Sequence, residues 1–140
     1  MKIIIDTNIV LDVMIRRAPF YTESELILLA SERKYVDGYI TASAVTDIFY
    51  IVNKYLKDKT ETQELIRKHL IGIINIAAVD GDIIIDALNA GWDDFEDCVQ
   101  YFTGKSIAAD YIVSRNTSDF SAGTITTITP KDFLDIIAPE

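Results

Sequence analysis

The sequence predicts an α/β fold in which helices cover both faces of a mostly parallel sheet of four or five strands. Two observations carry this expectation. Ile3-Ile4-Ile5 is apolar on both faces, as a strand sandwiched between helices requires, whereas a half-exposed strand would alternate with polar residues. Behind it, strand-like and helix-like segments alternate along the chain, and parallel neighbours joined through helices leave those helices on both sides of the sheet.

Taken in order, the first strand ends at Asp6 and a helix follows from Ile9 to Ile15. Apolar residues at helical spacing (Leu26, Ile27, Leu29, Ala30) predict a helix from Glu23 to Lys34, closed by the turn pair Asp37-Gly38. Tyr39-Ile40-Thr41 reads as a short strand. Ser43 is the expected N-cap of a long helix to about Lys57, with Val45, Ile48, Phe49, Val52 and Tyr55 on its apolar face. A helix from Thr60 to Ile71, a strand from Ile74 to Val79 and a short helix from Asp82 to Asn89, stopped by Gly91, come next. Asp93 to Thr103 forms a further helix, Tyr111 to Val113 and Thr124 to Ile128 two more strands, and Pro130 opens a closing helix to Ile137.

With 140 residues, 49% hydrophobic and 25% charged, the chain suits one globular domain over residues 1–140, and no linker or repeat interrupts it. Its first apolar run stops at Asp6, too short for a signal peptide, and no stretch reaches the ~18 apolar residues of a membrane span. A cytoplasmic protein with no membrane partner is expected. The single cysteine, Cys98, excludes an internal disulfide and a thiolate zinc cluster and reads as a core residue. A net charge of −9 excludes wide, unspecific nucleic-acid binding, which needs a basic footprint. Acidic proteins can still act on phosphates where cations reverse the local field, so the useful question is whether the carboxylates cluster.

Polar residues recur at strand ends and helix starts: Asp6-Thr7-Asn8, Asp47, the acids at 93, 94, 96 and 97, and Ser114 to Asp119. Gathered at one sheet edge, where ligands bind in open parallel sheets, such oxygen donors suit a hard divalent cation that keeps several waters. Cheaper readings stand beside this one. Asp6, Thr7 or Asn8 could cap the first helix, and Asp93 with Glu96 has the pattern of a capping box. Asp94 is read mainly as an acid complementing the helix dipole. Asp97 lies beyond the cap, among Phe95, Val99 and Phe102, where an acid costs free energy unless it is paired or bound to metal.

Four stretches, "IIIDTNIVLD", "TASAVTDIFYIV", "DDFEDCVQYFTGK" and "IVSRNTSDF", together resemble the PIN-domain nucleases, whose bacterial members include VapC-type toxins of toxin–antitoxin pairs. The resemblance implies a three-layer, Rossmann-like α/β/α fold and an acidic pocket that binds Mg²⁺ or Mn²⁺ and hydrolyses RNA. Position by position it assigns the catalytic and metal-binding acids to Asp6, Asp47, Asp97 and Asp119. Asp6 and Asp97 are the principal ligands in that assignment. Thr7 or Asn8 would support the first of the four and Asn116 the last. Apart from the resemblance, Asp94 is kept as a supporting acid at the helix start, and Arg115 is the cation whose place beside the site suits it to the RNA backbone. Asp47 departs from the commoner glutamate and reaches one methylene less far. A small antitoxin and a homodimer are the partners the resemblance implies.

Other residues read more plainly. Tyr21, Trp92 and Tyr101 are core aromatics before they are base-stacking platforms, and His69 is expected to face solvent. Two rival functions remain at this stage. A PIN-like module with an impaired pocket could serve binding alone, and haloacid-dehalogenase-like phosphatases also place Asp after the first strand. The latter want a second acid two residues on, where this chain has Asn8.

Overall fold

The computed structural model describes residues 1–138. Five strands, β1 (Lys2–Ile5), β2 (Asp37–Thr41), β3 (Asn75–Ala77), β4 (Tyr111–Val113) and β5 (Thr126–Ile128), form one sheet in the order β3-β2-β1-β4-β5. Every pairing is parallel. The helices are α1 (Thr7–Met14), α2 (Tyr21–Glu32), α3 (Ala42–Leu56), α4 (Lys59–Leu70), α5 (Gly81–Ala90), α6 (Phe95–Ser106) and α7 (Pro130–Ile137), with a single 3₁₀ turn at Thr117–Phe120.

The three isoleucines of β1 explain the layering, because successive side chains leave a strand on opposite faces. Ile3 and Ile5 enter the larger core with Ile9, Ile27, Ile48 and Phe133, which belong to α1, α2, α3 and α7. Ile4 points the other way, to Tyr101 of α6, Ile112 and Phe120. All three isoleucines are fully buried, since β1 is the middle strand of the sheet. The three-layer α/β/α architecture expected from the sequence is therefore present.

The chain lays β2 and β3 on one side of β1, then crosses to place β4 and β5 on the other. Between β1 and β4 the connections diverge to opposite sides, so their carboxyl ends open into a crevice. Asp6 and Ser114 are the first residues past those two ends.

Several boundaries differ from those read in the sequence. The third strand pairs only over Asn75–Ala77, because Asp80 already caps α5 through the N–H of Ile83. The fifth begins at Thr126, not Thr124, whose N–H and hydroxyl are instead engaged by Tyr101. α1 starts two residues early, at Thr7, and α3 is capped by Thr41 rather than Ser43, its Oγ1 accepting from the N–H of Ala44 at 3.3 Å. In both places the strand turns into the helix with no loop between. Gly91 does end α5, with φ +66°. Among the described residues no helix is long and apolar enough to cross a membrane.

Gly104 sets how closely α6 approaches the sheet. A Cβ there would stand 3.1 Å from both Ile4 and Ile125. Gly104→Val is expected to destabilise the protein by about 1–3 kcal/mol through overpacking, read as a lower urea midpoint.

Candidate active site

Asp6 occupies the N-cap position of α1 with extended backbone, yet its side chain makes no cap bond. Its carboxylate turns instead toward the crevice: Oδ2 accepts from Ser114 Oγ at 2.7 Å and Oδ1 from Gln100 Nε2 at 3.2 Å. The capping reading of Asp6 is thereby set aside. Asp6 is 5% exposed, and burial raises its pKa above the ordinary carboxylate value against the lowering effect of those two hydrogen bonds.

α6 brings the next acids. Its N-cap is Asp94, whose Oδ1 accepts from the N–H of Asp97 at 3.0 Å, so the cap expected at Asp93 lies one residue further on and no capping box forms. Glu96 does not reach back to close such a box. Its Oε1 accepts from Thr7 Oγ1 at 3.1 Å, and its carboxyl lines the cleft together with that of Asp47 on α3. Burial, then the Asp47 contact, pushes Glu96 up to about 7, and burial with the charges of Asp94, Asp6 and Asp119 pushes Asp97 up to about 7.

These groups line one cleft of about 440 Å³ that also admits Asn8, Gln100 and the exposed Tyr50. Asp6, Asp47, Asp97 and Asp119 meet there, with Thr7 and Asp94 beside them. Asp119 reaches it from the 3₁₀ turn that follows β4. Asn116 and Arg115 are not part of the lining. Asn116 is exposed, its N–H bonded to Ser114 Oγ at 3.1 Å. Arg115 turns away to Asp12, with Nε 2.8 Å from Oδ2 and Nη2 3.1 Å from Oδ1. Its guanidinium is committed, which corrects the expectation that it meets RNA freely.

Sequence reading missed Gln100, the bond of Ser114 to Asp6 and the turn of Glu96 into the cleft. Gln100 is a lone amide amid Cys98, Val99 and Tyr101, all buried, and that contrast was its signal. Ser114 is to β4 what Asp6 is to β1, which only the strand order reveals. Tyr101 is buried and stacks on Trp92 at 5.1 Å, so it offers no face to a base, and Cys98 is a core residue as expected. His69 is half-buried between α1, α2 and α4 rather than solvent-facing, and burial lowers its pKa.

Among the described residues no three Asp, Glu, His or Cys side chains stand close enough to hold an ion as they are. The donor chemistry nevertheless fits a hard divalent cation: the acids of the cleft are all carboxylates, and their charges add to burial in raising Asp97. Beside Asp6, Gln100 keeps a buried Oε1 without a partner. Ser114→Ala removes one of the two side-chain hydrogen bonds that hold the Asp6 carboxylate down and is expected to raise its pKa further, read by NMR titration of the Asp6 carboxyl.

The sequence matches the family model described as PIN domain over residues 2–118. The chain belongs to the PIN-domain family. No curated protein matches it. Among solved structures, VapC20 of Mycobacterium tuberculosis, a sarcin-ricin loop cleaving toxin, superposes with TM-score 0.69 at 12% identity, over 88% of this chain and 96% of that one. VapBC2 from Rickettsia felis, bound to a promoter DNA fragment, gives 0.66 at 16%, covering 92% and 98%. A toxin–antitoxin complex from Klebsiella pneumoniae gives 0.64 at 21%, covering 91% and 96%. These neighbours share the PIN fold. Membership removes the haloacid-dehalogenase alternative, in keeping with Asn8 where that chemistry wants an acid.

Proposed function

We propose that this PIN domain is a divalent-metal-dependent ribonuclease, the toxin of a toxin–antitoxin pair, using Mg²⁺ or Mn²⁺. One observation carries the reading: carboxylates from positions 6, 47, 94, 96, 97 and 119 line a single cleft at the switch point of the sheet. The family is one of nucleases, and the solved neighbours are described as toxins or toxin–antitoxin complexes, which supports the class and an antitoxin partner. A homodimer and a cytoplasmic location belong to the same proposal.

A divalent cation supplies an acidified water and neutralises charge on the phosphate when bound. Asp6 and Asp97 would hold it, with Asp47 and Asp119 completing the set. Ser114 and Gln100 orient Asp6, while Thr7 orients Glu96. Glu96 lines the cleft with Asp47 and carries the longer carboxylate that Asp47, one methylene shorter than the commoner glutamate, lacks. Proton loss from Asp97 and Glu96 must accompany metal binding, since both are half-protonated near pH 7.

The experiment is cleavage of RNA oligonucleotides with and without Mn²⁺, beside an Asp6→Asn control. Cleavage that needs the metal, stops on chelation and is absent from the control is the expected result. Metal-independent or absent cleavage overturns the proposal. The short Asp47 favours a second reading, a binding module with an impaired pocket; a Mn²⁺ titration that shows no uptake at millimolar concentration would establish it.

A further inference from the structure

Asp12 is a carboxylate that the proposed chemistry does not use. It sits fully buried in α1, inside the apolar run from Ile9 to Met14. Its Oδ2 accepts from Arg115 Nε at 2.8 Å and from Ser24 Oγ at 3.1 Å, and its Oδ1 accepts from Arg115 Nη2 at 3.1 Å. Arg17 Nε stands 3.0 Å from the same Oδ1 as an ion pair, without the alignment of a hydrogen bond. Two guanidinium groups on one carboxylate exceed what neutralisation requires. A buried ionic cluster is also a poor device for stability, because apolar replacements of similar volume are often as stable or more so.

What the two arginines share is their destination. Arg115 lies between Ser114, which donates to Asp6, and Asn116, which leads into the 3₁₀ turn carrying Asp119. A bidentate pair fixes the plane of a guanidinium as well as its position, and Arg115 is further stacked on the Phe20 ring at 3.8 Å. Arg17 Nη2 donates to the carbonyl oxygen of Asn8 at 3.2 Å and to its Oδ1 at 3.3 Å. Asn8 is on the cleft wall, two residues beyond Asp6. The two segments that leave the central strands at the switch point are therefore tied to one buried anion.

We propose that Asp12 is a positioning residue for the acidic cleft, fixing the segment that carries Asp119 and the segment that carries Asp6 relative to each other through Arg115 and Arg17. The inference rests on the reading of the cleft as the nuclease centre. Its mechanical part, the tethering of residues 114–121, stands independently of that reading.

The test uses Asp12→Asn and Arg115→Lys. The second keeps the charge and loses the fork, and it decides the matter if the first does not fold. Three quantities are read: Mn²⁺ affinity from the electron paramagnetic resonance of free Mn²⁺, kcat and KM for RNA cleavage, and amide hydrogen exchange at Asp119 and Ser121. Those two amides donate to the carbonyls of Asn116 and Ser118. Folded Arg115→Lys should lose about 10–100-fold in Mn²⁺ affinity and kcat with KM unchanged, and its two amides should exchange faster. The double variant should be no worse than Asp12→Asn alone, because the residues act as one unit. Unchanged Mn²⁺ affinity and exchange in a folded Arg115→Lys protein overturn the inference, including when its melting temperature falls, since that marks a merely structural ion pair. Wild-type protein inert toward RNA, with exchange still accelerated in the variants, overturns the nuclease reading and leaves the tether in place.

Discussion

Asp97→Asn is expected to lower Mn²⁺-dependent RNA cleavage by more than the ~10–100-fold that loss of a supporting group costs, with the fold intact. The expectation comes from where the charge sits. Asp97 is half-buried on the cleft wall and is raised to about 7 by burial and by the surrounding acids, Asp94, Asp6 and Asp119 first among them. A cation is attracted by the same accumulation of negative charge that penalises the bare carboxylate, and an amide of the same shape withdraws one anion from that field. Folding loses nothing by it, since one repelling charge disappears. Asp6→Asn should behave likewise for cleavage, and its burial is tolerable for a specific reason. The new amide nitrogen faces a hydroxyl that can rotate to accept or a Gln100 side chain whose Oε1 has no partner. The check is cleavage of an RNA oligonucleotide at saturating Mn²⁺, beside circular dichroism and a melting curve. A folded Asp97→Asn protein that cleaves at the wild-type rate removes Asp97 from the centre.

The sequence made the sheet legible because burial on two faces leaves a direct trace. Ile3-Ile4-Ile5 is apolar throughout, since Ile3 and Ile5 meet one helical layer and Ile4 the other. Recurring polar residues at strand ends and helix starts made an acidic cluster legible, and the PIN resemblance singled out the acids at 6, 47, 97 and 119 within it. What stayed hidden depends on contacts between distant segments. Glu96 has the spacing of a capping partner, and its choice of Thr7, 89 residues away, depends on the first turns of α1 and α6 meeting at the carboxyl edge of the sheet from its two faces. Arg115 sits next to the acidic segment in sequence, and only the burial of Asp12, 103 residues away, shows why it turns from the cleft. Local rules assign such side chains to their neighbours, and tertiary packing overrides them.

Metal-free protein is expected to lose stability as the pH rises from about 4 to 7, and Mn²⁺ is expected to restore it. Asp97 and Glu96 rise from ordinary values of 3.8 and 4.5 to about 7 in the folded chain. Between those limits the native state therefore holds protons that the unfolded chain has released, and stability falls with pH wherever the native state binds more protons. Above about 7 both states are ionised and the penalty is complete. Lowering of the His69 pKa acts in the opposite sense near its ordinary value of 6.5, because there the unfolded chain binds the extra proton. The difference between wild type and Asp97→Asn cancels that contribution: the two melting temperatures should agree near pH 4 and separate toward pH 8, with the variant higher. A cation bound only by the native state adds RT ln(1 + [L]/Kd), about 2.7 kcal/mol at a hundredfold excess over Kd, enough to raise the melting point of wild type by several degrees. Because the two carboxyls must give up their protons first, that increment should be small at pH 5 and large at pH 8. A melting point insensitive to millimolar Mn²⁺ at pH 8 would mean that the cleft repels its own charges without ever recruiting a cation to offset them.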